Sequence, residues 1–431
     1  MSQVTITPSV LSGTASAPPS SRDTIRLIFG CCLGEGGVVG KCHMGIQTEE
    51  FLSIGRQLGA DITYMDGTAD ILAQGIPSFP HALRCQTPLS ARFAASLALF
   101  YDFDVRILAP PLPKKAQKFI SNLAQSCQAQ MTFPEKGTIL ARGPLQTDGF
   151  TLAGLEGSFW ASSLLMPAPL LPSDSLFQLD DYVCAKPPFS NTMAVFDVFG
   201  ISTYFNETEF GVMVPGDQVY QNRFLDAEGD WRNGSYIIGA FLAAGSGTIS
   251  GLSSSSSQNE RQMWIQLEEM GILSWNDGGT MLTVKASSLP SIPIDPRHAP
   301  ALLPLWMALA VHARSVISIG PILPMSPIDR KRIDIMCDRL LSQGIQVEKL
   351  AESVIVHPGK LKGGVVDCAG DCRIAMAFAV AALGGSEKTT LQNADGVAKE
   401  FPEFWGELRA LGAEIVLPII GGRNREKPML P

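Results

Sequence analysis

Charge is scarce in this chain: Asp, Glu, Lys and Arg make up 17 % of 431 residues, against 45 % apolar. That composition excludes a disordered chain and predicts a well-buried globular protein. Positive charge is scarcer still. The 33 Lys and Arg face 41 Asp and Glu, a formal net charge of -8. This argues against a general nucleic-acid surface and leaves room for a local basic cleft. Long hydrophobic runs are missing too. The longest, near 301–312 and 374–384, fall short of the roughly 20 residues a bilayer demands, so no membrane partner is expected. The opening MSQVTITPSVLSG has neither a basic region nor an apolar core, and no secretory signal is expected. Nine cysteines include no CxxC pair. The odd count points to reduced thiols in the cytoplasm, most of them buried as small hydrophobes. Clusters with metal-ligand spacing are absent. GEGGVVG (34–40) lacks the Lys-Ser/Thr that a phosphate loop requires. No cofactor or metal is expected.

What is present is a repeat. A helical pattern ends in glycine and runs into alternating strand-like segments six times, at Gly59, Cys127 (in the glycine slot), Gly200, Gly271, Gly344 and Gly412. The spacings are 68, 73, 71, 73 and 68 residues. Each unit reads helix, left-handed cap, strand, turn, strand. Between units lies a second helix, apolar on every side: ARFAASLALF, SSLLMPAPLL, SYIIGAFLAAG, LLPLWMALAVHA and RIAMAFAVAALGG. An all-round apolar helix must be buried on all sides. A period this long marks stacked supersecondary units. Six βαβαββ units divide into two domains of three, an α/β protein. The serines of 253–257 are expected to cap a helix beginning near 259.

Several stretches resemble the enolpyruvyl transferases, the shikimate-type members most of all. DCRIAMAFAVAALGG and DGVAKEFPEFWGELRALGAEI carry the resemblance most strongly. SAPPSSRDTIRLIFGCCLGEGG, SSLLMPAPLL, AKPP and DRKRIDIMCDRLLSQG add to it, and it spans essentially the whole chain. It implies a two-domain inverse α/β barrel-like fold with three repeats per domain. One domain is expected over 21–234 and the other over 1–20 plus 235–431, with the active site in the cleft between them. It implies small anionic substrates, a phosphoenolpyruvate-like anion and a cyclic acid, and a monomer.

Arg373 opens an apolar helix, where a cation is disfavoured by about 0.3–1 kcal/mol unless an anion sits there too. Read from the residues alone, it forms either an anion site or a surface pair with Asp371. Arg330 to Arg332 read as a solvated face or as a ligand grip. The resemblance implies that Arg332, Arg373 and Lys399 hold phosphoenolpyruvate, joined by Lys114 or its neighbour Lys115 in place of a family arginine. It implies a proton-transfer role for Asp329, one methylene shorter than the family's Glu. We expect Asp329 and Lys399 as catalytic groups and Arg22, Arg26, Arg92, Lys114, Ser158, Arg332 and Arg373 as substrate-binding groups.

The departures matter as much. Ser21 stands where the family has its catalytic lysine, and Ile328 where it has a second lysine. Gly157-Ser158-Phe159 replaces the Ser-Ser-Gln that holds the shikimate phosphate, and QTPLSAR retains only Arg92 of its loop. Arg297 replaces the family aspartate, with Asp295 or His298 as nearby substitutes. The lost phosphate ligands are worth roughly 1.5–3 kcal/mol each. Phe159 and Trp160 offer apolar area to a ring instead. Three functions remain open. One is enolpyruvyl transfer with a divergent acceptor pocket. The second is elimination or dehydration of a shikimate-like cyclohexene carboxylate. The third is anion binding without catalysis.

Overall fold

A computed structural model describes residues 3–417 apart from 76, 147–148, 185, 207–209, 277, 286–288 and 324. Its six sheets share one pattern. A first strand pairs in parallel with a second, which continues antiparallel into a hairpin. In the sheet of Phe224–Asp226, Gly37–Gly40, Thr68–Leu72 and Asp61–Met65, the first pair is parallel and the others antiparallel. The sheet of Ile317–Ile319, Val354–Val356 and Val347–Lys349 has only an isolated parallel bridge, Ile294 to Ile319, in the first place. The N-terminal strand Gln3–Thr7 lies between Thr389–Gln392 and Glu414–Val416 and completes the sixth unit.

The cap glycines carry the repeat because the chain turns there through left-handed backbone. Gly59, Gly200, Gly271, Gly344 and Gly412 have φ between 68° and 105°. The second unit corrects the reading of Cys127. Cys127 itself has φ -103°, and Gln128 takes the left-handed turn at φ 58°. Glycine's freedom at that place is replaced by a residue strained by its Cβ.

Two separate cores form. One gathers residues from 25 to 227. The other gathers residues from 4 to 15 and from 231 to 415. The second centres on three helices, Trp231–Ala244, Leu303–Ala310 and Cys372–Leu383, which pack on one another. Cys372–Leu383 is almost wholly small and apolar, and Ile374 through Ala382 are 0 % exposed. Alanine at five of those places keeps the helix axes close without forfeiting helix propensity. Trp231 is already inside this core, so the expected boundary at 234 falls within its helix. In the first core, Phe29, Phe51 and Phe93 meet edge to face at 5.1–5.9 Å, joining three helices at one point.

Among the described residues no helix is long and apolar enough to cross a membrane. Burial pushes the Cys42 and Cys337 thiols up to about 11 and Cys85 and Cys368 up to about 12, which makes them poor nucleophiles. The Cys184 side chain lies outside the described residues. The serines of 253–257 do not cap the following helix: Ser253 and Ser255 bond each other, and Gln258 is the N-cap without a side-chain bond.

Candidate active site

Helix Pro327–Ser342 starts at Ser326, whose hydroxyl accepts from the Asp329 amide at 3.3 Å and donates to the Asp329 carboxylate at 2.5 Å. This reciprocal cap fixes the first turn and sets Asp329 and Arg332 on one face. Arg332 donates through Nη1 to Asp329 at 3.2 Å and through Nε to Asp371 at 2.8 Å. Asp371 in turn caps helix Cys372–Leu383, accepting from the Arg373 and Ile374 amides at 2.8 and 3.3 Å. One carboxylate therefore ties two helix starts together. Burial works against the Arg332 charge, but Asp371 and Asp329 outweigh it and raise its pKa. A recess of about 360 Å³ opens beside Arg332, lined by Pro327, Ile328, Lys331, Gly370 and Asp371.

Arg373 is 3 % exposed, under a half-exposed partner. Its Nη1 donates to Asn233 Oδ1 at 2.7 Å and its Nη2 to Glu400 Oε2 at 2.9 Å. The surface-pair reading therefore fails in its detail: Asp371 takes Arg332, and Glu400 takes Arg373. Burial raises the Glu400 carboxyl, but Arg373, then Arg232, His43 and Arg332, hold it below its usual range. Tyr236, fully buried, lies 5.9 Å from the Arg373 guanidinium with its hydroxyl unpartnered. Lys399, next to Glu400, points into solvent and makes no ion pair among the described residues.

The first-domain residues are arranged otherwise. Arg22 reaches across to the second domain, with Nη2 3.0 Å from Glu260 Oε1. Its Nε and Nη1 are buried and unpaired. The same Glu260 oxygen accepts from Arg232 Nε at 3.1 Å. Burial disfavours the Glu260 charge, but Arg22 and Arg232 outweigh it and hold the carboxyl down to about 2. Arg26 is 4 % exposed, and among the described residues its acceptors are neutral: Ser162 Oγ at 2.7 Å, Thr192 Oγ1 at 3.3 Å and the Arg22 carbonyl at 2.6 Å. Burial, then the Arg22 charge, lowers it to about 9. Arg92 lies over Phe159 at 5.1 Å and near Trp160 at 5.9 Å; burial lowers its pKa and Glu156 works against that. Ser158 is buried on the same helix. Trp160 is 0 % exposed and belongs to the core, so only Phe159 offers its face outward. Ser21 donates to Gln47 at 3.1 Å.

Lys114 stands apart. It begins helix Lys114–Ser126, exposed, with no ion pair among the described residues. Asp295 is committed to its neighbour Arg297 at 2.6 Å on the surface.

The structure thus gathers Asp329, Arg332 and Arg373 in one network, and Arg22 and Arg26 in a second. Arg92 and Ser158 form a third group. Several participants escaped the sequence reading. Lys186, in AKPP, lies 4.3 Å from the Tyr182 ring. Burial lowers its pKa, and Asp329, facing it from the other domain, opposes that. Glu260 hides behind five serines, and Glu400 reads as an ordinary helix charge. His43 is 8 % exposed with Nδ1 unpartnered.

A family model described as EPSP synthase (3-phosphoshikimate 1-carboxyvinyltransferase) matches residues 135–408. A 3-phosphoshikimate 1-carboxyvinyltransferase of Methanocella arvoryzae is 26 % identical over 415 residues, covering 94 % of this chain and 97 % of its own. One of Methanocorpusculum labreanum is 27 % identical, covering 94 % and 98 %. Among solved structures, EPSP synthase from Acinetobacter baumannii superposes with a TM-score of 0.82 at 19 % identity, over 97 % of this chain and all of that one. The enolpyruvyl transferase NikO from Streptomyces tendae gives 0.73 at 15 %, over 96 % and 98 %. The fold is the two-domain inverse α/β barrel. This chain belongs to the EPSP synthase family of enolpyruvyl transferases.

Proposed function

We propose that the protein transfers the enolpyruvyl group of phosphoenolpyruvate to a hydroxyl of a cyclic acid that carries no phosphate at the usual place. The observation that carries this reading is the joint N-terminal mouth of two helices. There Arg332 and Arg373 stand together with Asp329, opposite Lys186. Guanidinium groups and helix N-termini at one point suit an anion.

In the reaction, C3 of phosphoenolpyruvate takes a proton and the acceptor oxygen bonds to C2. The acceptor hydroxyl gives up its proton. The C2–O bond to phosphate then breaks, and C3 returns a proton as the double bond re-forms. Asp329 and Lys186 are the groups we assign to move those protons: a carboxyl group and an amine whose charge burial disfavours face each other across the domain junction. Arg332 and Arg373 stabilise the developing anion without reorganising. On the acceptor side Phe159 and Arg92 present a ring face and a cation, which suits a cyclic carboxylate.

A coupled phosphate-release assay with phosphoenolpyruvate over a panel of cyclic hydroxy acids tests this. Turnover with an unphosphorylated acceptor supports it. No release with any acceptor, at concentrations where phosphoenolpyruvate binds, rules it out.

The occupation of Arg332 and Arg373 by the chain's own carboxylates favours one other reading, elimination from a cyclohexene carboxylate without phosphoenolpyruvate. Mass spectrometry of shikimate-like acids incubated with the protein alone separates the two. Products formed without phosphoenolpyruvate select elimination.

A further inference from the structure

The Arg373 side chain is 3 % exposed, whereas the Glu400 side chain is 47 % exposed. The two are held by one residue. Asn233 accepts from Arg373 Nη1 through its Oδ1 and donates through its Nδ2 to the Glu400 carbonyl at 3.1 Å. The backbone of Glu400 is thereby anchored while its carboxylate remains at the solvent edge, on the four-residue helix Val397–Glu400. The charges facing that carboxylate are Arg373, Arg232, Arg332 and His43, with Lys399 beside it in the chain. A guanidinium with a tethered carboxylate is a subsite with a competitor built in. The tether gives that competitor an effective concentration in the millimolar range or above.

We propose that Glu400 is the resident anion of the Arg373 subsite and sets its specificity: a ligand enters only by displacing it. A monoanionic carboxylate offers Arg373 nothing that Glu400 does not. A ligand carrying phosphate and carboxylate together does, because it engages Arg332 and Arg373 at once. Glu400 thus selects for multiply charged small anions and lowers affinity for all of them. This inference rests on the reading of Arg373 as an anion subsite.

Titration calorimetry with phosphoenolpyruvate and with acetate, on wild type, Glu400→Gln, Glu400→Ala and Arg373→Gln, tests it. Melting curves of each variant verify that it is folded. Both Glu400 variants should bind phosphoenolpyruvate about tenfold to a hundredfold more tightly, the size of one charge-assisted hydrogen bond. Acetate binding should become measurable in those variants alone. Combining Arg373→Gln with Glu400→Gln should remove the gain. If wild type binds phosphoenolpyruvate and the Glu400 variants bind no tighter, Glu400 is no competitor and the inference falls while the subsite stands. If no variant binds it, the subsite and the inference fall together.

Discussion

The two sides of the domain junction balance their charges in opposite ways. On the second-domain side each guanidinium has a carboxylate: Arg332 has Asp329 and Asp371, and Arg373 has Glu400. On the first-domain side Arg22 shares one Glu260 oxygen with Arg232, and among the described residues Arg26 donates to neutral oxygens alone. The contrast teaches that surviving family positions and free family positions are different things. The arginines that match the family's donor-anion ligands are present but occupied by the chain itself. On the side where the resemblance implies lost phosphate ligands, one cation, Arg22, is held in a buried bridge between domains, while Arg26 and Arg92 lie outside that bridge.

Breaking that bridge gives the largest expected effect. Glu260→Gln leaves two guanidinium groups facing each other in a buried place, at a cost of about 3–5 kcal/mol, read by urea denaturation. The same residue predicts an acid limb. Its folded carboxyl is held down to about 2, against about 4.3 in an unfolded chain. As pH falls the unfolded chain takes the proton first, so this stability is present above about pH 4.5 and lost on the way down to 2. Glu260→Gln should flatten that limb.

On the other side, Asp329→Asn should lower kcat by about a hundredfold to a thousandfold with KM for phosphoenolpyruvate changed far less, if Asp329 moves a proton. Arg332→Ala should weaken phosphoenolpyruvate binding by about a hundredfold in titration calorimetry, the scale of one lost charged donor. An equal loss from Arg26→Lys would erase the distinction between the two sides. Phe159→Ala is the smallest: about 1 kcal/mol of binding to a cyclic acid, and no change for phosphoenolpyruvate.

The repeat was legible because its signals are local: a helix period, a left-handed cap, a hairpin. It slipped by one residue at Cys127, where Gln128 takes the turn without glycine to announce it. That Arg332 and Arg373 stand at helix starts was legible in the sequence, and the structure pairs both with carboxylates there. Their partners were not legible. Glu400 lies 27 residues from Arg373, and Glu260 lies 238 from Arg22. No periodicity connects them, and each alone looks like a solvated surface charge. Trp160 shows the converse. An aromatic beside a site position reads as a ligand platform until burial assigns it to the core.

We propose that a donor-anion subsite persists in this chain while the acceptor phosphate subsite is gone. Thermal shift in the presence of saturating phosphoenolpyruvate, comparing shikimate with shikimate 3-phosphate at equal concentration, tests it most directly, because a ligand stabilises only where its subsite survives. The account predicts that shikimate 3-phosphate raises the melting temperature no more than shikimate does. A clearly larger rise with shikimate 3-phosphate would contradict it.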